Sequence, residues 1–228
     1  MTAVRDWMLD IHRENPYSGF PAHRIEKDLQ GWGFDSPIFE HVIAKCRPRK
    51  IVEVGSWKGA SANRMAGLLK KYGGRPPEAQ LVCVDTWLGS VEHWLDRSRP
   101  TMFASLNLKW GRPQLYYQFV ANVIHCGNQD MIIPFPATSQ VAAQFLAAKR
   151  MFADAIYIDA GHEYDDVIAD LNAFWQVLRP GGVMFGDDYD PTWSEVMRAV
   201  QTFAGMNRLS IDASFTAKFL LEKPATAA

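Results

Sequence analysis

"RKIVEVGSWKGAS", Arg49 to Ser61, decides how the rest of the chain is read. Ile51, Val52 and Val54 form a short β-branched run that stops at Gly55, the pattern of a strand buried on both faces. Gly55 and Gly59 let backbone approach a ligand closely, and the "SANRMAGLLKKYGG" that follows has the periodicity of a helix. A strand, a glycine turn and a helix N-terminus together suit an anionic group, because the first N–H groups of a helix have no partner inside it. Glu53 is the odd residue of the run. An acid within a buried strand is costly unless something pairs with it.

The same alternation continues on both sides. Helix-like "PIFEHVIAKC" leads in from Pro37, and further strands are read at "QLVCVDTW", "MIIPFPATS", "ADAIYIDAG", "GVMFGDD", "RLSIDAS" and "AKFLLEK". Between Asp165 and Leu178, apolar Val167, Leu171, Phe174, Trp175 and Leu178 fall at helical spacing, and "RPGG" is expected to stop that helix. Strands alternating with helices predict an α/β domain with a doubly wound, mostly parallel sheet covered on both faces. Residues 1–37, broken by "ENPYSGFP" and "GWGFDSP", read as an N-terminal cap of short helices, and 38–228 as the main domain. Within it, residues 88–130 are irregular and aromatic-rich, the signature of a lid or substrate-recognition insertion or of a solvated helical excursion.

Composition limits the partners. With 228 residues, 48% of them hydrophobic, the chain can bury one sizeable core. Twenty-four basic against 25 acidic residues leave a net charge of -1, which gives no footprint for nucleic acid or for an anionic membrane. A small-molecule partner is expected, and nothing in the sequence decides for or against a homo-oligomer. Cys46, Cys83 and Cys126 form no C-x-x-C, which argues against a disulfide framework or a structural zinc and suits a reducing compartment. "MTAVRDWMLDIHRENP" is charged throughout and no run approaches the length of a membrane span, so a cytoplasmic location is expected.

Two acidic stretches complete the chemistry: "YIDAGHEYDD" from Tyr157 and "FGDDYD" from Phe185. Asp159 ends one predicted strand and Asp187 with Asp188 ends the next; if the two are neighbours, their ends lie about 5 Å apart. Three converging carboxylates repel one another unless a cation neutralises them, and hard oxygen donors suit Mg²⁺ or Mn²⁺. Read singly, each is equally a turn or helix-cap residue. Asp165, Asp166, Asp170 and Asp190 read as solvated charges. His162, three residues after Asp159, has an ordinary pKa of about 6.5 that suits a general base, although a lone loop histidine is also a common structural residue. Asp85, at the end of the second strand, has two oxygens for two hydroxyls, or serves as a turn cap.

Taken in order, E-x-G-x-x-x-G at Glu53 to Gly59, Ser61, Asp85, "TSQ" at Thr138 to Gln140, Asp159 and "DD" at Asp187 and Asp188 resemble the Rossmann-like class I S-adenosylmethionine (SAM) methyltransferases. The likeness is to their metal-dependent O-methyltransferase branch, which includes the catechol and macrolide-sugar enzymes, and it spans about Ile51 to Asp188. It implies a cofactor site of Glu53, Gly55, Gly59, Ser61, Asp85, Thr86, Ser139 and Gln140, with Ser61 on the methionine carboxylate, Asp85 on the ribose and Thr138 to Gln140 near the adenine; among the aromatic residues Trp87, two positions after Asp85, is the candidate to stack on the adenine. It also implies an ion on Asp159, Asp187 and Asp188, with His162 as base. The position of His162 carries lysine in the catechol enzymes and histidine in the macrolide-sugar enzymes; that of Asp188 carries asparagine in the former and aspartate in the latter. Both point to a sugar-like hydroxyl acceptor, with Tyr189 and Trp193 as tentative substrate contacts. A dinucleotide site is disfavoured, since the third glycine of its fingerprint is missing. Methylation of a catechol or other phenol, and a non-catalytic SAM or nucleotide-binding module, stay open.

Overall fold

Ile51, Val52 and Val54 do end up in the middle of the protein: the strand they form, β1 (Lys50–Val54), is central in a six-stranded sheet. The structure, a computed structural model, describes residues 6–95 and 100–225. Residues 1–5 of the expected cap, 96–99 of the expected insertion and 226–228 of the main domain lie outside the described residues. Before β1 come α1 (Trp7–His12), a short 3₁₀ turn at Ala22–Arg24 and α2 (Pro37–Cys46), the last begun by Ser36 as N-cap and Pro37 in the first turn. After β1 the chain runs through α3 (Ala60–Lys71), β2 (Gln80–Asp85), α4 (Val91–Leu95), α5 (Pro100–Ser105), α6 (Leu115–His125) and β3 (Ile132–Pro136). It continues with α7 (Ser139–Ala148), β4 (Ala153–Ile158), α8 (Tyr164–Val177), β5 (Leu178–Gly186), α9 (Ser194–Asn207) and β6 (Phe219–Glu222).

The sheet order is β3-β2-β1-β4-β5-β6, parallel throughout except for β6, which runs antiparallel to β5. This is the expected doubly wound α/β fold. Chain direction across the sheet reverses at β1, with β2 on one side and β4 on the other, and open sheets of this kind bind ligands beyond the carboxyl ends of the strands at that switch. Helices α2 and α3 pack together against the sheet, and α7, α8 and α9 form a second row. Phe39 of α2 sets one register: its ring lies 4.9 Å from Tyr157 of β4 and 5.9 Å from Phe185 of β5, edge-on to both. No helix among the described residues is long and apolar enough to cross a membrane.

Two sequence expectations are corrected. "RLSIDAS" is not a strand of the sheet: Arg208 closes α9 in the left-handed region, and the segment makes only a single antiparallel bridge, Asp212 to Leu220. "RPGG" does stop α8, but its residues become the irregular first half of β5, with the register shifted between Ala153 and Ala155. A third correction concerns Asp170, expected in solvent but only 5% exposed. It lies on the same face of α8 as buried Val167, Leu171 and Phe174, and the Gln140 amide approaches it at 3.4 Å.

Opposite the switch point, Asp154 ties three segments. Its carboxylate accepts from the backbone N–H groups of Arg49 at 2.5 Å and Lys50 at 3.0 Å and pairs with Arg179 at 2.8 Å. Asp154→Ala strands two backbone donors at the start of β1, so denaturant unfolding should show a loss of about 2–4 kcal/mol with unchanged m-value. Asp170 gives a pH-dependent counterpart. Burial pushes its carboxyl from 3.8 up to about 6, against the hydrogen bond from Ser139. A folded-state pKa above the unfolded one means that its contribution is present below pH 3.8 and is lost as pH rises through about 6. Asp170→Asn should therefore be neutral near pH 4 and stabilise the protein by up to about 3 kcal/mol above pH 7; equal wild-type and variant pH profiles in thermal unfolding would contradict this.

Candidate active site

The parallel ladder continues one residue past the strand ends. Gly55 N–H donates to Val84 O at 2.9 Å, Asp159 N–H to Val54 O at 2.8 Å and Asp187 N–H to Ile158 O at 3.1 Å. Gly55, Asp159 and Asp187 thus stand side by side at the carboxyl edge. The fit there is tight: a Cβ on Gly55, at φ +85°, would lie 1.8 Å from the Asp159 carbonyl oxygen. Gly59 opens α3 with no side-chain cap, which leaves the helix's first N–H groups available.

Glu53 is fully buried. Ser61 Oγ donates to its Oε1 at 2.5 Å, while Oε2 has no partner, and burial raises its pKa to about 7 despite that hydrogen bond. Asp85 fastens the glycine loop: it accepts from the backbone N–H groups of Ser56 and Trp57, both at 2.9 Å, and of Trp87 at 2.7 Å. Burial raises the Asp85 pKa in spite of these backbone hydrogen bonds, to which the Thr86 N–H adds a further one. Thr86 is exposed and caps its own turn through Leu88 N–H at 3.3 Å. "TSQ" sits beside β2, since Ala137 N–H donates to Asp85 O at 3.1 Å, but the side chains of Ser139 and Gln140 hydrogen-bond Asp170. Trp87 is corrected as an adenine contact. Only 2% exposed, it packs against Phe119 and Tyr116 and donates its indole N–H to Trp57 O at 2.8 Å, so it is core.

Asp159, Asp187 and Asp188 reach one edge as expected, but each has its own partner. Tyr157 OH lies 3.1 Å from Asp159 Oδ2 and 3.3 Å from Asp187 Oδ2, bridging the two. Asp187 is ion-paired with Lys218, and Asp188 with His162 Nε2 at 3.1 Å. Burial and the two neighbouring carboxylates push Asp159 well above the usual carboxylate range. Among the described residues no three His, Cys, Asp or Glu side chains are grouped to hold an ion. The expected Mg²⁺ or Mn²⁺ set is thus divided, because a lysine and a histidine already take two of its members.

His162 also contacts Glu92 Oε1 through Nδ1 at 3.4 Å, and its ring stacks on Trp193 at 4.0 Å. Burial alone would lower its pKa; Asp188 and Glu92 outweigh that and raise it to about 9, well above the ordinary value used in the sequence reading. Trp193 therefore belongs to the site through His162. Tyr189 points elsewhere, with its hydroxyl accepting from Gln201 at 3.3 Å and its ring against Phe219.

Sequence reasoning missed Lys218, Tyr157 and Glu92, and it missed a strap formed by residues 28–33. Lys58 Nζ pairs with Asp28 at 2.6 Å, Trp57 Nε1 donates to Gln30 at 3.0 Å, and Gly33 packs on Lys218 and Asp187. Tyr157 carried a signal: it lies two residues before Asp159 on a strand, so it faces the same side. His93, without context in the sequence, is buried and stacked on Trp57 at 4.2 Å. Glu53 Oε2 and His93 Nε2 are buried near the glycine loop with no geometrically sound hydrogen bond, Glu53 having only the Ser56 hydroxyl and Cys83 thiol nearby. Such orphans fit a site completed by a polar ligand.

Comparisons with known proteins agree. Residues 52–189 match a family model described as a methyltransferase domain. No curated protein matches. Among solved structures, cofactor-bound Rv0187 from MTB is 14% identical, with 88% of this chain and 85% of that one covered at a TM-score of 0.60. CalS11, a calicheamicin methyltransferase, is 21% identical over 81% of this chain and 76% of its own, at 0.59. An O-methyltransferase from Bacillus cereus in complex with SAH is 16% identical over 97% and 92%, at 0.56. At such identities these structures speak for the fold, which is the Rossmann-like methyltransferase fold. With more than half of its length matched by the family model, the chain belongs to this methyltransferase domain family and is a SAM-dependent methyltransferase.

Proposed function

We propose that the chain transfers the methyl group of SAM to a hydroxyl of a small molecule, a sugar or glycosylated natural product, with His162 as the base. The observation that carries this reading is His162 itself, held between Asp188 and Glu92 against Trp193, beside the glycine loop's end of the sheet. SAM supplies a methyl group on a sulfonium, an electrophile that needs a deprotonated oxygen in line with it. On the protein's side, the free N–H groups at the α3 N-terminus would face the carboxylate of the cofactor and the Asp85 carboxylate its ribose, while Ser61, expected on the cofactor carboxylate, gives its hydroxyl proton to Glu53. The divalent ion expected from the resemblance has no fitting donor set among the described residues as the side chains stand.

His162 can take a proton only when neutral. With a pKa of about 9, roughly 1% of it is neutral at pH 7, and that fraction is a stronger base than free imidazole. Nδ1, whose 3.4 Å contact with Glu92 is the looser of the two, is the nitrogen that can turn to an acceptor.

The test is methyl transfer from labelled SAM to a panel of sugar, glycoside and catechol acceptors, where transfer to sugar hydroxyls is expected and transfer to phenols alone would overturn the acceptor class. His162→Ala should leave SAM affinity intact and lower turnover on the true acceptor by about 10²–10⁴; a loss under about threefold would leave His162 structural. Calorimetry with SAM should show wild-type binding and, for Asp85→Ala, a loss of about 1–3 kcal/mol, because the variant frees the glycine loop and removes the ribose acceptor. A wild type that takes no SAM would remove the reading altogether.

A further inference from the structure

We infer that Lys218 supplies the fixed positive charge of the Asp159–Asp187 cluster, in the place a divalent ion would otherwise have to take. This rests on the proposed function only for what the cluster serves.

Lys218 is 2% exposed although it carries an ammonium group. Buried lysines need a partner, and this one is ion-paired with Asp187 and lies 5.9 Å above the Tyr157 ring, whose hydroxyl bridges Asp187 to Asp159. Its position is fixed by backbone. Lys218 N–H donates to Phe215 O at 3.1 Å, and Tyr189 N–H donates to Ala217 O at 3.0 Å, so the turn before β6 is tied directly to the loop carrying Asp187 and Asp188. The strap then closes over the pair. A Cβ on Gly33, at φ +58°, would lie 2.6 Å from Lys218 Nζ and 2.8 Å from Asp187 Oδ2, which is why glycine stands there.

These contacts leave an ion two obstacles. A magnesium ion needs about six oxygens at about 2.0–2.1 Å, several of them waters, and the strap backbone occupies the space above Asp187. It would also sit beside an ammonium already ion-paired with one of its intended ligands, and like charges at such range repel strongly. Lys218 meets the same electrostatic need at lower cost in space: it offsets the paired carboxylates and keeps the edge beside His162 from becoming so negative that a hydroxyl there could not ionise. It acts through Asp187, as a positioning residue.

The experiment titrates Mn²⁺ into the full chain and follows free Mn²⁺ by electron paramagnetic resonance, in the wild type, in Lys218→Met and in Lys218→Arg. Expected is no site tighter than millimolar in wild type, and one site at least tenfold tighter in Lys218→Met, where the charge is gone and both carboxylates remain. Lys218→Arg, which keeps the charge, should resemble wild type in binding no Mn²⁺. A wild type that binds one Mn²⁺ at micromolar concentration overturns the inference, and this arm needs no variant to fold. So does Lys218→Met binding no more Mn²⁺ than wild type when its circular dichroism and SAM affinity match the wild type's. Turnover on the accepting substrate should survive exhaustive chelation, and its loss in EDTA with recovery in Mg²⁺ would likewise overturn the inference. SAM binding, measured alongside, separates this failure from that of the methyltransferase mechanism.

Discussion

The approach of Gly55 to the Asp159 carbonyl is the constraint on which the rest depends. With room for a hydrogen and nothing larger on that Cα, β1 and β4 keep in register to their very ends, and the glycine loop, the aspartate edge and the loop of His162 open on the same side. Any side chain at position 55 would push the two strand ends apart, and Glu53, Asp85 and Asp187 would lose their common frame. Asp85 reinforces this from the other side, since its carboxylate holds Ser56 and Trp57 by their N–H groups.

Charge is distributed around that frame in pairs. Asp187 has Lys218, Asp188 has His162, His162 also has Glu92, and Asp28 has Lys58. Glu53, Asp85 and Asp159 are exceptions, with hydroxyl or backbone N–H partners in place of cations, and all three have raised pKa values as burial requires. Buried ion pairs are weak contributors to stability but strong specifiers of geometry when one member is fixed by backbone, as Lys218 is.

Much of this was legible in the sequence, and the reason is locality. The helix "PIFEHVIAKC" was bounded correctly because Ser36 and Pro37 mark its start in adjacent residues. Gly55, Asp159 and Asp187 could be placed just past strand ends, with Glu53 inside the first strand and Ser61 at the start of the next helix, because strands end where β-branched runs meet glycine or aspartate. What failed was non-local. Asp170 looked solvated until helix packing put its face inward, and Trp87 looked available until Phe119 and Tyr116 covered it. Lys218 and the strap carry no periodicity that links them to the acidic edge, so only the folded chain brings them there.

The strap depends on points far from it in sequence. Its hydrogen bond from Asp28 to Asn122 joins residues 94 apart, and its glycine at position 33 meets Lys218 next to the last strand. Closing such long loops costs entropy that nothing local offsets, so the docking of the strap depends on α6 and on the antiparallel β5–β6 pair that receive it. The roof over the acidic edge is therefore held only from outside the strap, at Asn122 of α6 and at Lys218 beside β6, and a change at either distant point would loosen it.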